Sequence, residues 1–336
     1  MEELTPADKQ RLGSFINCFV ERPILTTILR DFDRLRFNRE LGGEPQCMLL
    51  TGDTGSGKTH LINYYKEKFP SLRKGDTLIK PLLVSRIPSK LNLEQMMIQM
   101  LSDLGQFGSE YRRGRSRDIG LTEALVKTLK RCKTELIIIN EFQEILEFKS
   151  IRDRQIIANR LKMISEEAEI PIVLVGMPWA EQIAEEPQWA SRLICRRMIP
   201  YFKLSDGPEE FIRFLKGLAV RMPFEKLPRL EEKQIALALF AYSRGEVRRL
   251  KKLLDEAVKI AVVESADTLR SDHLIRAYEC TFPGAANPFK EKVEYLKFSE
   301  VSSYSKYQIN AASDEEALVA TQFLDSLSLS EILKKS

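Results

Sequence analysis

The sequence has no apolar run approaching the roughly 20 residues that a membrane-crossing helix needs. No membrane-spanning segment is expected, and the polar, acidic first ten residues lack a signal-peptide core. Histidine is nearly absent, with only His60 and His273, far apart in the chain. The five cysteines are scattered and form no CxxC pair. Both facts argue against a zinc site. The odd cysteine count fits reduced thiols and a cytoplasmic location, and Cys47 and Cys132 read as small buried hydrophobes. Charge of one sign is also lacking: 52 basic against 48 acidic residues leave a net +4. A basic surface for nucleic acid must therefore come from local clustering. Repeats and low-complexity tracts are missing too.

What is present suits a soluble globular chain. Hydrophobic residues make up 43% and charged residues 30% of 336 positions, enough for one large domain and a smaller one. Residues 46–51, 78–87, 135–140, 170–176 and 193–202 are short apolar runs that read as strands, with Pro81 marking an edge or bulge. Helical spacing fills the intervals at 61–69, 91–104, 121–133 and 152–168. Buried strands alternating with helices predict an α/β fold, a parallel sheet flanked by helices. Beyond residue 204 the pattern becomes all-helical, at 208–221, 231–243, 246–263 and 271–280. Residues 284–312 read as loop or tail. A capping-box sequence at 313–316 is expected to open a last helix carrying Leu318, Phe323 and Leu327. The expected division is 1–203 for the α/β domain, 204–283 for a helical domain and 284–336 for a C-terminal tail that binds partners.

The strongest motif runs from Gly52 through Asp53, Thr54, Gly55, Ser56, Gly57 and Lys58 to Thr59. It fits G-x-x-x-x-G-K-[ST] between a strand and a helix, the context the motif requires. Glycines let successive N–H groups turn around phosphate oxygens, and the following helix adds its positive end. Lys58 is placed to reach the β- and γ-phosphates of ATP, and the Thr59 hydroxyl to bind Mg²⁺. His60 follows directly.

A phosphate loop needs an acidic partner at another strand tip. The run 136–140 ends at Asn140 and Glu141. Glu141 is the candidate general base or water positioner. Asn140 stands where an Asp would hold the Mg²⁺ shell. It can accept from a metal-bound water but adds no negative charge, so binding should outlast fast hydrolysis. Arg192 precedes the 193–202 run and is a candidate arginine finger for a neighbouring subunit, with Arg196 and Arg197 as rivals. Arg248 opens a lid helix and is placed to close over the nucleotide, with Arg249 as its rival. The β-strand ending at Gly176 carries no hydroxyl or amide at its tip to name as a sensor.

The order of these motifs resembles an AAA+ ATPase, and more narrowly the TniB/TnsC family of DNA-transposition regulators. The carriers are the segment Phe19–Ile24, the phosphate loop, Val84–Ser89, Asn140-Glu-Phe-Gln143, Leu161–Ile164 and Val175–Pro178. The likeness covers roughly residues 14–281, and Asn140 departs from the usual Asp. It implies a P-loop AAA+ sheet with a helical lid, and an ATP- and Mg²⁺-dependent homo-oligomeric ring or filament on double-stranded DNA. It further implies a link between a TniQ-like target selector, in some systems carried by a CRISPR effector, and a transposase. It also places Arg22, Pro23 and Ile24 near the adenine, and ATP between protomers.

The clustering demanded by the neutral charge balance lies at 111–117, where Arg112, Arg113, Arg115 and Arg117 crowd a glycine-containing loop. Arginines on such a loop suit phosphate contact without a base code. Lys90 lies just upstream on the expected DNA-binding face. Two other classes of function stay open at this point. One is an ATP-bound DNA scaffold or adaptor of low turnover. The other is a helicase loader or STAND-like signalling ATPase.

Overall fold

The computed structural model describes residues 4–75, 77–87, 92–105, 118–146, 149–185, 187–307 and 318–333. The arginine cluster at 112–117, Lys90 and the 313–316 capping box lie outside them.

The chain opens with α1 (Pro6–Ile16), whose Thr5 hydroxyl accepts from Asp8 N–H at 3.1 Å, and α2 (Pro23–Glu40). Both place proline in the first turn, where its missing N–H costs nothing. Strand β1 (Cys47–Gly52) leads through the phosphate loop into α3 (Lys58–Glu67). A small hairpin, β2 (Leu72–Lys74) and β3 (Thr77–Ile79), precedes β4 (Leu82–Arg86). The single strand expected over 78–87 is thus split at Pro81, which cannot donate to a ladder.

Helix α4 (Leu93–Asp103) starts in a capping box, with Asn92 Oδ1 accepting from Gln95 N–H at 2.8 Å and Gln95 Oε1 accepting from Asn92 N–H at 3.0 Å. After α5 (Asp118–Arg131) come β5 (Leu136–Asn140), the single turn α6 (Gln143–Leu146) and α7 (Ile151–Ala168). Strand β6 (Ile172–Gly176), a 3-10 helical stretch over Pro178–Glu185, α8 (Pro187–Ala190) and β7 (Leu193–Ile199) complete this part.

Five of the strands form one parallel sheet in the order β4-β5-β6-β1-β7. Alternate residues of each inner strand enter opposite cores. Cys47, Leu49, Ile137, Ile139, Ile172 and Leu174 pack under α4, α5 and α7. Met48, Leu50, Leu136, Ile138, Val173 and Val175 pack under α2 and α3. Both faces being covered is why these strands read as unbroken apolar runs. The strand tips at Gly52, Asn140 and Gly176 end on one side of the sheet, which is where chemistry gathers in such folds.

The lid is α9 (Glu209–Ala219), α10 (Lys233–Ser243), α11 (Val247–Val263) and α12 (Ser271–Thr281). Phe202, Phe211, Phe240, Leu250, Leu254 and Leu274 share its core, and Leu12 and Phe15 of α1 join them. The N-terminal helix therefore packs on the lid.

Past the lid come β8 (Phe298–Ser303), β9 (Lys306–Tyr307), β10 (Leu318–Val319), β11 (Gln322–Leu327) and α13 (Leu329–Leu333). The expected last helix through Leu318 and Phe323 is instead strand: β11 pairs antiparallel with β8, and β10 with β9. Residues 322–327 (Gln-Phe-Leu-Asp-Ser-Leu) do not alternate strictly, so it is the pairing with β8, not a period-two pattern, that makes this segment a strand. Phe298, Leu296 and Ile332 are buried in the lid core. Among the described residues, no helix is long and apolar enough to cross a membrane.

Candidate nucleotide-binding site

The loop between β1 and α3 takes its shape from its glycines. Gly57 caps α3 at φ 104°, and Gly55 sits at φ 73°, both in the left-handed region. A Cβ on Gly55 would also collide with Glu246 Oε1 of the lid. A Cβ on Gly52 would lie 2.7 Å from Ser56 Oγ and 3.0 Å from the Ile199 carbonyl.

Lys58 is 7% exposed and its Nζ donates to the carbonyls of Gly52 at 2.6 Å and Asp53 at 3.0 Å. Burial pulls its ammonium down to about 8, opposed by the Glu141 and Asp53 carboxylates. Thr59 follows, and Asn140 Nδ2 lies 3.5 Å from its hydroxyl.

Glu141 adopts φ 58°, rare for a residue with a side chain, at the strand tip. Its N–H donates to Asn140 Oδ1 at 3.1 Å. Its carboxylate accepts from Gln143 Nε2 at 2.8 Å, and Gln143 Oε1 accepts from Met177 N–H at 3.0 Å. Gly176 permits this approach, since a Cβ there would stand 2.7 Å from Gln143 Oε1. The polar link missing at the tip of β6 is thus supplied from α6. Its sequence signal was the Gln two places after Glu141.

The loop faces a cavity of about 380 Å³ that also contacts the lid. Thr54, Gly55, Ser56, Gly57, Lys58, Thr59, His60 and Glu141 line it, with Arg22 and Arg248. The apolar end is Ile16, Phe19, Val20, Leu25, Phe214 and Leu218. His60 Nε2 lies 3.1 Å from the Cys18 carbonyl, and Phe19 stacks on Tyr64 with ring centroids 3.8 Å apart. The lid closes over the loop directly. Arg248 N–H donates to the Gly55 carbonyl at 3.1 Å, and its guanidinium donates to Thr54 Oγ1 at 3.2 Å.

Several sequence candidates take other positions. Pro23 and Ile24 begin α2 and are not among the cavity's lining residues; Leu25 is. Arg22 is 2% exposed, donates to Glu210 at 2.9 Å and to the Pro200 carbonyl at 3.1 Å, and stacks on Phe202. Gly52, Asp53 and Asn140 stand behind the lining. Arg192 is ion-paired with Glu166 and with Glu44 at 2.9 Å, and its carbonyl accepts from Cys47 N–H, at the start of β1 and the far end from the loop. Arg196 is exposed on edge strand β7, and Arg197 pairs with Asp31 at 2.7 Å.

Beyond Arg248 and the basic run around it, sequence reasoning missed the lid's share of the lining. Val247, Lys251 and Asp255 recur every fourth residue along α11, and Phe214 and Leu218 do the same on α9. That spacing marks one helix face, but only the packing shows what it faces. The structure also brings Glu264, Asp272 and His273 together. Arg276 pairs with both carboxylates.

The parallel sheet with a phosphate loop under a helical lid defines an AAA+ P-loop ATPase fold. Solved structures agree on that fold. The Aeropyrum pernix ORC2 protein in ADPNP–ADP complexes is 18% identical at a TM-score of 0.58, covering 81% of this chain and 72% of its own. Aeropyrum pernix ORC1 in complex with DNA is 20% identical at 0.53, covering 81% and 69%. Cdc6p from Pyrobaculum aerophilum is 16% identical at 0.56, covering 82% and 72%. Comparison with curated proteins finds no match. Residues 17–202 match the family described as Bacterial TniB protein, more than half of the chain, and the protein belongs to that family.

Proposed function

We propose that the protein binds ATP with Mg²⁺ and acts as a DNA-transposition regulator. It would assemble on double-stranded DNA and couple a TniQ-like target selector to a transposase. The observation that carries the nucleotide part is the cavity itself, with Lys58, Thr59 and Glu141 on one wall and Arg248 on the other. TniB membership supports the transposition part. The ORC1 protein of similar fold is in complex with DNA, which supports a DNA partner at the level of fold.

Mg²⁺ fits the donors present. The Thr59 hydroxyl would hold it directly and Asn140 through a water, its Oδ1 being the oxygen that also accepts from Glu141 N–H, and Mg²⁺ takes few protein ligands beside phosphate and water. When bound it neutralises charge developing on the β- and γ-phosphate oxygens. Lys58 would trade its two carbonyl partners for phosphate oxygens. The loop N–H groups and the start of α3 would add donors without reorganising. Glu141, aimed by Gln143, would orient the attacking water. Arg192 or Arg196 would act across a subunit boundary; Arg196 is exposed on the edge strand, whereas Arg192 must first leave Glu44 and Glu166.

Lys90 and Arg112, Arg113, Arg115 and Arg117 would contact DNA phosphates, each contributing little but multiplied by the protomers of a ring or filament. Replacing the four arginines with alanine should weaken duplex binding and flatten its salt dependence.

A second reading has one observation in its favour. Asn140 brings no negative charge beside Thr59, which suits a nucleotide-bound scaffold of low turnover. Measuring ATP turnover with and without duplex DNA, beside a Glu141→Gln variant, separates the two. DNA-stimulated turnover lost in the variant supports the ATPase regulator. Equal rates in both proteins, with DNA assembly intact, support the scaffold.

A further inference from the structure

The C-terminal strands reach the phosphate loop from the side away from the cavity. Asp53 is 2% exposed. Its carboxylate accepts from Ser305 N–H at 3.3 Å, from Ser305 Oγ at 3.1 Å, from the Thr321 hydroxyl, and from Thr54 N–H at 2.8 Å. Ser305 and Thr321 flank the β9–β10 pair, whose antiparallel register brings them side by side with their hydroxyls 2.9 Å apart.

Two further contacts tie the same segment down. Glu300 of β8, 3% exposed, accepts from the N–H groups of Leu204 and Ser205, the latter at 2.9 Å. Those residues connect β7 to the lid. Tyr304 meets Tyr201 edge to face, with centroids 6.5 Å apart, and the Tyr201 hydroxyl donates to the Thr54 carbonyl.

A buried carboxylate stays buried only while donors satisfy it. Without Ser305 and Thr321, Asp53 keeps, among the described residues, the Thr54 N–H of its own loop. The favoured response is rotation of Asp53 toward water. Freed of that anchor, the backbone at Gly52 and Asp53, whose carbonyls position Lys58, is held less firmly.

We infer that the C-terminal strands 298–307 and 318–327 are a working part of the nucleotide site. Through Asp53 and Glu300 they hold the phosphate loop and the lid junction in register, and so set the affinity for a nucleoside triphosphate. This rests on the nucleotide reading above. Because coupling between two events is reciprocal, bound nucleotide tightens the docking of these strands.

The test uses the full chain and a fluorescent ATP analogue. Wild-type binding checks the nucleotide reading alone; a wild-type protein that fails to bind removes both that reading and this one. If the wild type binds, the Ser305→Ala/Thr321→Val double variant should bind at least tenfold more weakly while its circular dichroism matches wild type. Wild-type affinity in the double variant overturns the proposal. Limited proteolysis of wild type gives an answer independent of the variant's folding. ATP with Mg²⁺ should slow cleavage within 298–307 and 318–327 severalfold, and unchanged cleavage there overturns the proposal.

Discussion

The backbone N–H of Arg248, at the start of a lid helix, donates to the carbonyl of Gly55 in the phosphate loop at 3.1 Å. Lid and loop are therefore joined before any side chain is counted. Gly55→Ala should break this junction twice over, by demanding φ 73° of a residue with a Cβ and by driving that Cβ into Glu246. The strain is roughly 1–3 kcal/mol. Nucleotide affinity should fall by about tenfold or more, the equivalent of 1.4 kcal/mol, with the melting temperature lowered; calorimetric titration and thermal unfolding check both.

Lys58 gives a pH signature. In the free protein burial holds its ammonium down to about 8. Phosphate favours the charged form, so Lys58 in the complex titrates higher and binding takes up a proton above pH 8. Affinity should be level below about pH 7 and weaken as pH rises through 8, by at most roughly tenfold per unit. Titrations from pH 6.5 to 9.5 check it. In Lys58→Arg, whose guanidinium stays charged, the slope over this range should vanish.

Asn140→Asp places a carboxylate 3.5 Å from the Thr59 hydroxyl, beside Glu141. The added charge should strengthen Mg²⁺ binding and raise turnover by roughly tenfold. Phosphate release measured against Mg²⁺ concentration checks this, and an unchanged curve counts against a metal-holding role for position 140.

Gln143→Leu removes the link from Met177 to the Glu141 carboxylate at nearly constant volume. Because Gln143 lies behind the cavity lining, nucleotide affinity should hold within about twofold. Turnover should drop by roughly ten- to a hundredfold, the scale of a misaimed base. Single-turnover rates beside equilibrium binding distinguish this from general destabilisation, which would lower both.

The sheet and lid were legible because each rests on a local pattern. Apolar runs ending at Gly52, Asn140 and Gly176 mark strands covered on both faces, and the four lid helices fall within two residues of their expected bounds. The phosphate loop was legible because its spacing and its strand-to-helix setting coincide. The C-terminal strands were not, since β8 and β11 are separated by about 20 residues and pair only in three dimensions. Nor was the use of Asp53, whose partners Ser305 and Thr321 stand 252 and 268 positions away. No periodicity reports a contact of that separation. Arg22 shows a related limit: the resemblance places it near the adenine and it does line the cavity, yet its guanidinium is also held by Glu210, Pro200 and Phe202, contacts that no local pattern reports.

Duplex DNA binding as a function of nucleotide tests the central claim most directly. Fluorescence anisotropy of a labelled duplex should be followed for wild type and Lys58→Ala, with and without a non-hydrolysable ATP analogue and Mg²⁺. The account predicts tight, salt-sensitive binding only for wild type with the analogue. Equal binding by both proteins, with or without nucleotide, would contradict it.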